Sequence, residues 1–231
     1  MAKRGILIFV LTIVLFCSAC VFISSPYVAH PEKITVVIDA GHGGIDGGAS
    51  GVKTDMPESE INLAVATKLG EYFENAGINV VYTRKTPAGL YGVLSRGFKN
   101  RDLAKRVEIT ERADADIFIS IHMNEYSSCS RCGAQVFCKE DENSRTLAKY
   151  IQSELDKIDS DNRQGNVLEG DYYVLNNSPV PAVICECGFL SSPEDEAKLV
   201  TDEYQSALAY SIFLGSVEYF YNSANGLNVE Y

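Results

Sequence analysis

The sequence predicts a single α/β domain built on a mainly parallel, twisted sheet of about six strands, with helices on both faces. Short runs of β-branched and aromatic residues recur along the chain, and amphipathic helical patterns lie between most of them. Strands that alternate with helices favour a parallel sheet, because each crossover helix returns the chain to the same end of the sheet. At 231 residues and 46% hydrophobic content, the chain can form one sizeable core.

The first segment of the chain predicts export. Lys3 and Arg4 precede an uncharged run that is rich in Ile, Leu, Val and Phe and long enough to span a bilayer. We therefore interpret residues 1–23 as a signal segment or membrane anchor with its N-terminus inside, and residues 24–33 as a linker. Cleavage of the segment and lipidation at Cys20 are alternatives that the pattern leaves open.

The folded domain is expected at residues 34–221, followed by a polar tail at 222–231. Its predicted strands are short apolar runs at 34–39, 78–83, 116–121, 134–138, 172–175 and 182–187. Its predicted helices have apolar residues at helical spacing and lie around 61–73, 101–112, 147–155 and 203–219. Ligands of parallel sheets bind at the carboxyl ends of the strands, so functional residues are expected at that edge.

Charge and cysteine content narrow the class of protein. The net charge is −11 and no basic run of useful length follows residue 5, which argues against nucleic-acid binding because such proteins present Lys and Arg to phosphates. Seven cysteines are an odd number, so they cannot all pair within one chain. The spacing of Cys129 and Cys132 suits a local disulfide in an oxidising compartment, and free thiols in a reducing niche are the open alternative.

The histidines narrow the search for a metal site. The chain has three, and His30 lies in the predicted linker, which leaves His42 after the first strand and His122 at the end of the third. Two imidazoles and a carboxylate can hold a zinc ion with one coordination position open. Glu58 and Glu60, at the start of the first helix, are both candidates for this carboxylate ligand. Only one of them can face a given site, and the pattern does not choose between them.

Glu186 is a carboxylate inside the apolar run at 182–187. Its burial in a central strand is costly unless the group is paired or functional. A buried carboxylate with a raised pKa suits a general acid/base, so Glu186 is the predicted catalytic residue, with a buried salt bridge as the alternative. If Glu186 faces the site, its two flanking cysteines face the other way and fill the core. Asn124 and Asp46, close to the two histidines in sequence, are predicted to contact substrate.

Four ordered segments resemble those of the zinc-dependent N-acetylmuramoyl-L-alanine amidases, cell-wall hydrolases with a phosphorylase/hydrolase-like fold. Ile-Asp-Ala-Gly-His-Gly-Gly-Ile-Asp-Gly-Gly-Ala resembles the family's first zinc motif, and Ser-Ile-His-Met-Asn its second histidine motif. The segment Ala-Val-Ile-Cys-Glu-Cys-Gly-Phe-Leu-Ser resembles the one that carries the catalytic glutamate. The family's middle ligand lies five residues before the Leu that starts the apolar face of the helix, here Leu63, which selects Glu58. The resemblance covers about Ile34 to Tyr219.

This resemblance implies a function and a site. His42, Glu58 and His122 would bind one zinc ion, and Glu186 would move protons while the amide between N-acetylmuramic acid and L-alanine in peptidoglycan is hydrolysed. Gly-Ala-Gln-Val-Phe and Leu-Ala-Lys-Tyr-Ile-Gln-Ser-Glu-Leu are similar to the sporulation branch of the family, which implies spore-cortex maturation with formation of muramic-δ-lactam. The enzyme would face the cell wall or spore cortex, in contact with the membrane through its first segment. Whether an accessory lipoprotein assists metal binding is left open.

Four alternative functions remain beside this one. A zinc peptidase that trims stem peptides needs a cationic pocket for a carboxylate, for which Arg84, Arg96 and Arg106 are the candidates. A vegetative amidase for cell separation would share the same site. A non-catalytic wall-binding module is disfavoured because no ligand position is missing. A cysteine hydrolase using Cys185 or Cys187 lacks a histidine partner if both histidines hold metal.

Overall fold

A six-stranded, mostly parallel sheet lies at the centre of the computed structural model, which describes residues 33–126, 132–158 and 166–226. The strands are β1 (Thr35–Ala40), β2 (Asn79–Tyr82), β3 (Ile117–Asn124), β4 (Gln135–Cys138), β5 (Leu168–Glu169) and β6 (Ala182–Phe189). Their order is β2-β1-β3-β6-β4-β5, and every neighbouring pair is parallel except β4 and β6. The predicted fold class is confirmed.

Helices cover both faces of this sheet, as predicted. In the described residues they are α1 (Glu58–Asn75), α2 (Phe98–Arg112), α3 (Glu142–Leu155), α4 (Tyr173–Asn176), α5 (Pro193–Leu199) and α6 (Asp202–Ala224). On one face, α1, α3 and α6 pack against alternate strand residues such as Val36 and Ile119 in the larger core. On the other face, α2 and α4 pack against Val37 and Phe118 in a smaller core.

One predicted strand is wrong. The run Tyr-Tyr-Val-Leu at 172–175 forms most of the short helix α4, and the edge strand β5 lies earlier in the chain, at Leu168–Glu169. Val174 and Leu175 are consecutive and both are buried in the smaller core. Successive side chains of a strand point to opposite faces, so an edge strand would leave one of them uncovered, whereas a helical turn can bury both.

The arrangement of three parallel strands positions the predicted site. Because β1, β3 and β6 are neighbours, their carboxyl ends lie side by side. His122 of β3 and Glu186 of β6 are paired in register, so their side chains lie on the same face of the sheet. Cys185 and Cys187 are fully buried in the larger core on the opposite face, as expected.

The predicted export segment and Cys129 lie outside the described residues. Within the described ranges, the helices include none that is long and apolar enough to cross a membrane. The signal or anchor at 1–23 and the disulfide between Cys129 and Cys132 therefore stay predictions.

Candidate metal centre

His42 lies in the loop after β1, where a glycine-rich sequence lets the backbone adopt conformations with positive φ. Its φ is 59°, and the next two residues, Gly43 and Gly44, have φ of 131° and 63°. This left-handed conformation costs a non-glycine residue on the order of 1 kcal/mol. Gly41 is also needed as glycine, because a Cβ there would lie 2.2 Å from Nε2 of His122. The loop thereby brings the two imidazole rings together, with centroids 4.9 Å apart.

Glu58, the first residue of α1, lies between the two imidazoles. Its Oε1 is 2.8 Å from Nδ1 of His122, and its Oε2 is 3.3 Å from Nε2 of His42. The backbone N–H groups of Met123 and Ala49 donate to the same two oxygens at 3.1 and 2.9 Å. Burial favours a raised pKa for the Glu58 carboxyl, but the hydrogen bonds from His122 and His42 hold its pKa well below the ordinary range. Glu58 is therefore an anion at neutral pH.

These three residues fit a metal ion. One ligand atom each from His42, Glu58 and His122 can be chosen so that all lie within 4.8 Å of one another. Two imidazole nitrogens and a carboxylate oxygen are a donor set that zinc accepts. Gly48 leaves the carboxylate room, since a Cβ at that position would lie 2.3 Å from Oε2 of Glu58. Glu60, the other candidate at the helix start, is exposed.

Glu186 faces the same site from β6. It is 8% exposed, and its buried Oε2 has no hydrogen-bond partner in the described part of the chain. Burial raises the pKa of Glu186 to about 7, against the opposing effect of His122 and with a further increase from the Glu58 carboxylate. No ion pair with Lys or Arg holds this carboxylate among the described residues, so the salt-bridge alternative finds no partner there. A carboxyl group in this state can exchange protons near neutral pH.

Asp46 contacts one of the candidate ligands. Its Oδ2 lies 3.1 Å from Nδ1 of His42, and its Oδ1 lies 3.0 Å from Nζ of Lys99. A carboxylate on the second ring nitrogen fixes the tautomer and orientation of a metal-binding imidazole, which leaves Nε2 directed at Glu58. Asn124 is half-buried at the end of β3. The predicted contacts of Asp46 and Asn124 with substrate stay predictions.

Two of the three arginines considered for a carboxylate pocket are already engaged. Arg106 is 2% exposed and forms ion pairs with Asp39 and Asp102. Arg84 is 5% exposed and donates to main-chain carbonyl groups. Of these three arginines, only Arg96 is exposed. The burial of Arg84 and Arg106 cannot be predicted from the sequence, because arginine side chains are mostly exposed in folded proteins.

A cavity of about 200 Å³ opens beside the two histidines. Its polar side includes His42, Asp46 and His122, and its apolar side includes Phe98 and Val174. A larger hollow of about 640 Å³ lies along α3 and contains none of the candidate residues. Because candidate residues line the smaller cavity, that cavity belongs to the site and leaves room for substrate next to the candidate ligands.

The sequence and fold are similar to those of known amidases. The model of the Amidase_3 family, described as N-acetylmuramoyl-L-alanine amidase, matches residues 36–216. The germination-specific N-acetylmuramoyl-L-alanine amidase of Bacillus subtilis is 36% identical over 191 residues, which cover 80% of this chain and 79% of that protein.

Solved structures of amidases are also similar to this chain. The CwlD amidase of Clostridioides difficile, solved in complex with the GerS lipoprotein, is 36% identical with a TM-score of 0.78, covering 82% of this chain and 99% of that one. An N-acetylmuramoyl-L-alanine amidase from Clostridium difficile 630 is 30% identical with a TM-score of 0.72, covering 81% of this chain and 97% of that one.

Proposed function

Because the chain belongs to the N-acetylmuramoyl-L-alanine amidase family and is therefore a peptidoglycan amidase, we propose that it works with one zinc ion and one catalytic carboxylate. The observation that carries the proposal is the grouping of His42, Glu58 and His122, whose ligand atoms lie within 4.8 Å of one another. Glu186 is paired with His122 on the neighbouring strand. Zinc bound by the three residues would polarise the amide carbonyl and lower the pKa of a water molecule.

Glu186 acts first as a base and then as an acid in the proposed mechanism. It accepts a proton from the attacking water and delivers it to the nitrogen of L-alanine as the C–N bond breaks, so that the amine leaves as a neutral group. A pKa of about 7 makes both protonation states of Glu186 accessible near neutral pH. Asp46 orients His42, and the adjacent cavity admits the substrate.

The cellular role that we propose is spore-cortex maturation. The germination-specific relative and the CwlD amidase support this role, and the GerS lipoprotein in the latter structure supports an accessory lipoprotein as a partner. Release of stem peptides would leave muramic acid available for muramic-δ-lactam formation, with residues 1–23 directing the domain to the wall side of the membrane. Spores of a deletion strain should then lack the lactam. Normal lactam content would instead favour a vegetative role in cell separation.

Product analysis tests the enzymatic part of the proposal. Mass spectrometry of digested peptidoglycan should show muramic acid with free lactyl groups, and peptides that begin with L-alanine. Shortened stem peptides still attached to sugar would indicate a peptidase. A chelator should abolish peptide release and added zinc should restore it, whereas full activity in chelator would contradict the zinc proposal.

The variant Glu186→Gln tests the role of the carboxylate. It should bind zinc with the wild-type stoichiometry but release stem peptides about 10²- to 10⁴-fold more slowly, because it cannot move a proton. Glu60→Gln is the matched control: it neutralises an exposed carboxylate and should keep both zinc and activity. Wild-type peptide release by Glu186→Gln would show that another group transfers the proton.

A further inference from the structure

Arg84, which follows β2, is a buried cation held by main-chain carbonyl groups. Its Nε donates to Ala40 O at 2.8 Å, its Nη2 to Gly41 O at 2.9 Å and to Ser59 O at 2.8 Å, and its Nη1 to Thr86 O at 2.9 Å. No carboxylate lies within ion-pair distance of it among the described residues. Burial of a guanidinium without a contacting anion is unfavourable. The burial of Arg84 against four carbonyl groups therefore calls for an explanation.

The carbonyl groups belong to the segments that carry two candidate metal ligands. Gly41 directly precedes His42, and Ser59 directly follows Glu58. One nitrogen of the guanidinium donates to both, so it ties the loop after β1 to the first turn of α1. The fully buried Asn62 bridges the same junction, with its Nδ2 3.2 Å from Gly41 O and 3.1 Å from Oε1 of Glu58.

The loop needs such support because its conformation is not the intrinsic preference of the chain. His42 is left-handed with φ of 59°, and the two glycines after it are conformationally free residues that lose much entropy when fixed. Arg106 holds the loop through its Nη2, which donates to His42 O at 2.7 Å, and its Nη1, which donates to Ala40 O at 2.8 Å. Two guanidinium groups thus fix three successive carbonyls around a candidate ligand.

We propose that Arg84 is a positioning residue for the metal site: it fixes His42 relative to Glu58 before the ion binds. The planar guanidinium suits this task because it directs several N–H donors at fixed angles, whereas a lysine offers one compact ammonium group. Residues that contact metal ligands without binding the metal themselves typically change metal affinity about 10- to 100-fold when removed. The inference rests on the metal site of the proposed function but concerns affinity, not the reaction.

Zinc affinity of the full-length chain tests this proposal, measured by competition with a chelating dye. We expect Arg84→Met to raise the dissociation constant for zinc about 10- to 100-fold, and Arg84→Lys to raise it less. Arg101→Met is the matched control. Arg101 also donates to main-chain carbonyls, those of Tyr91, Val93 and Arg96, but none of these residues adjoins a candidate ligand. Its variant should bind zinc with the wild-type constant.

A merely structural role gives a different result. It would lower the free energy of unfolding of the metal-free protein while the folded molecules kept the wild-type dissociation constant, and that outcome overturns the proposal. Equal losses of affinity in the Arg84 and Arg101 variants would overturn it as well. If Arg84→Met does not fold, Arg84→Lys decides: a severalfold rise in the constant supports the proposal, and a wild-type constant refutes it. Peptide release by the wild-type protein is measured separately, so the amidase mechanism can fail or stand independently.

Discussion

At the scale of single residues, Glu186 makes the stability of the metal-free protein depend on pH. Burial raises its pKa from 4.5 to about 7, so the stability it contributes is fully present below pH 4.5 and is lost as the pH rises through 7. The loss amounts to about 3 kcal/mol at most, since one pKa unit corresponds to about 1.4 kcal/mol. Glu186→Gln should therefore gain free energy of unfolding relative to wild type between pH 5 and 8.

Urea denaturation in the presence of chelator measures this difference. Glu203→Gln, which removes an exposed carboxylate from α6, is the control and should follow the wild-type pH profile. Parallel pH profiles for Glu186→Gln and wild type would mean that Glu186 titrates normally in the folded protein.

Single residues also show how much of the site can be predicted from the sequence. Glu186 and the two histidines stand out in sequence because each is polar at the end of, or inside, an apolar run. Glu58 and Glu60 were indistinguishable by pattern, because the exact start of the helix decides which of them turns inward. Arg84 stands out in sequence only as a candidate for a carboxylate pocket. Its contacts beside the metal ligands cannot be predicted, since its partners are main-chain carbonyls from segments far apart in the chain.

At the scale of elements, the packing of α3 against α6 depends on Gly215. A Cβ at this position would lie 2.5 Å from Cα of Ile151, and a backbone atom cannot move aside without shifting the helix. Gly→Ala inside a helix ordinarily stabilises by about 1 kcal/mol. Here we expect Gly215→Ala to destabilise the protein by about 1–3 kcal/mol, because overpacking forces the helices apart.

Chemical denaturation of two glycine variants checks this expectation. Gly70→Ala in α1 is the comparison, because its Cβ would meet the hydroxyl of Tyr82, the end of a side chain that can rotate. It should lose less stability than Gly215→Ala. Equal or greater stability of Gly215→Ala relative to wild type would show that the two helices adjust without cost.

Element length explains why the sequence predicts a strand where the structure has α4. The longer helices showed several turns of apolar periodicity, and the central strands showed runs of β-branched residues, so both kinds were predictable. A helix of four residues, Tyr173–Asn176, is too short to show a period, and its Tyr-Val pair has strand propensity. Tertiary burial of Val174 and Leu175 in the smaller core decided the outcome.

At the scale of the whole molecule, charge does not bring the enzyme to its substrate. The chain carries a net charge of −11, so its net charge would not attract it to an anionic wall polymer. The predicted segment at 1–23 would overcome this by tethering, which raises local concentration without adding a contact. The described residues from Lys33 onward contain the sheet, both cores and the four candidate catalytic and metal-binding residues.

A protein that lacks residues 1–32 should therefore separate catalysis from delivery. We expect it to fold, and to release peptides from soluble peptidoglycan fragments at the full-length rate, because all four candidate residues lie in the remaining chain. It should fail to restore lactam formation in spores of the deletion strain, while the full-length protein should sediment with membranes and resist carbonate extraction. Loss of activity on soluble fragments would contradict the separation. Full-length protein recovered in the medium with a new N-terminus would show that the segment is cleaved instead of retained.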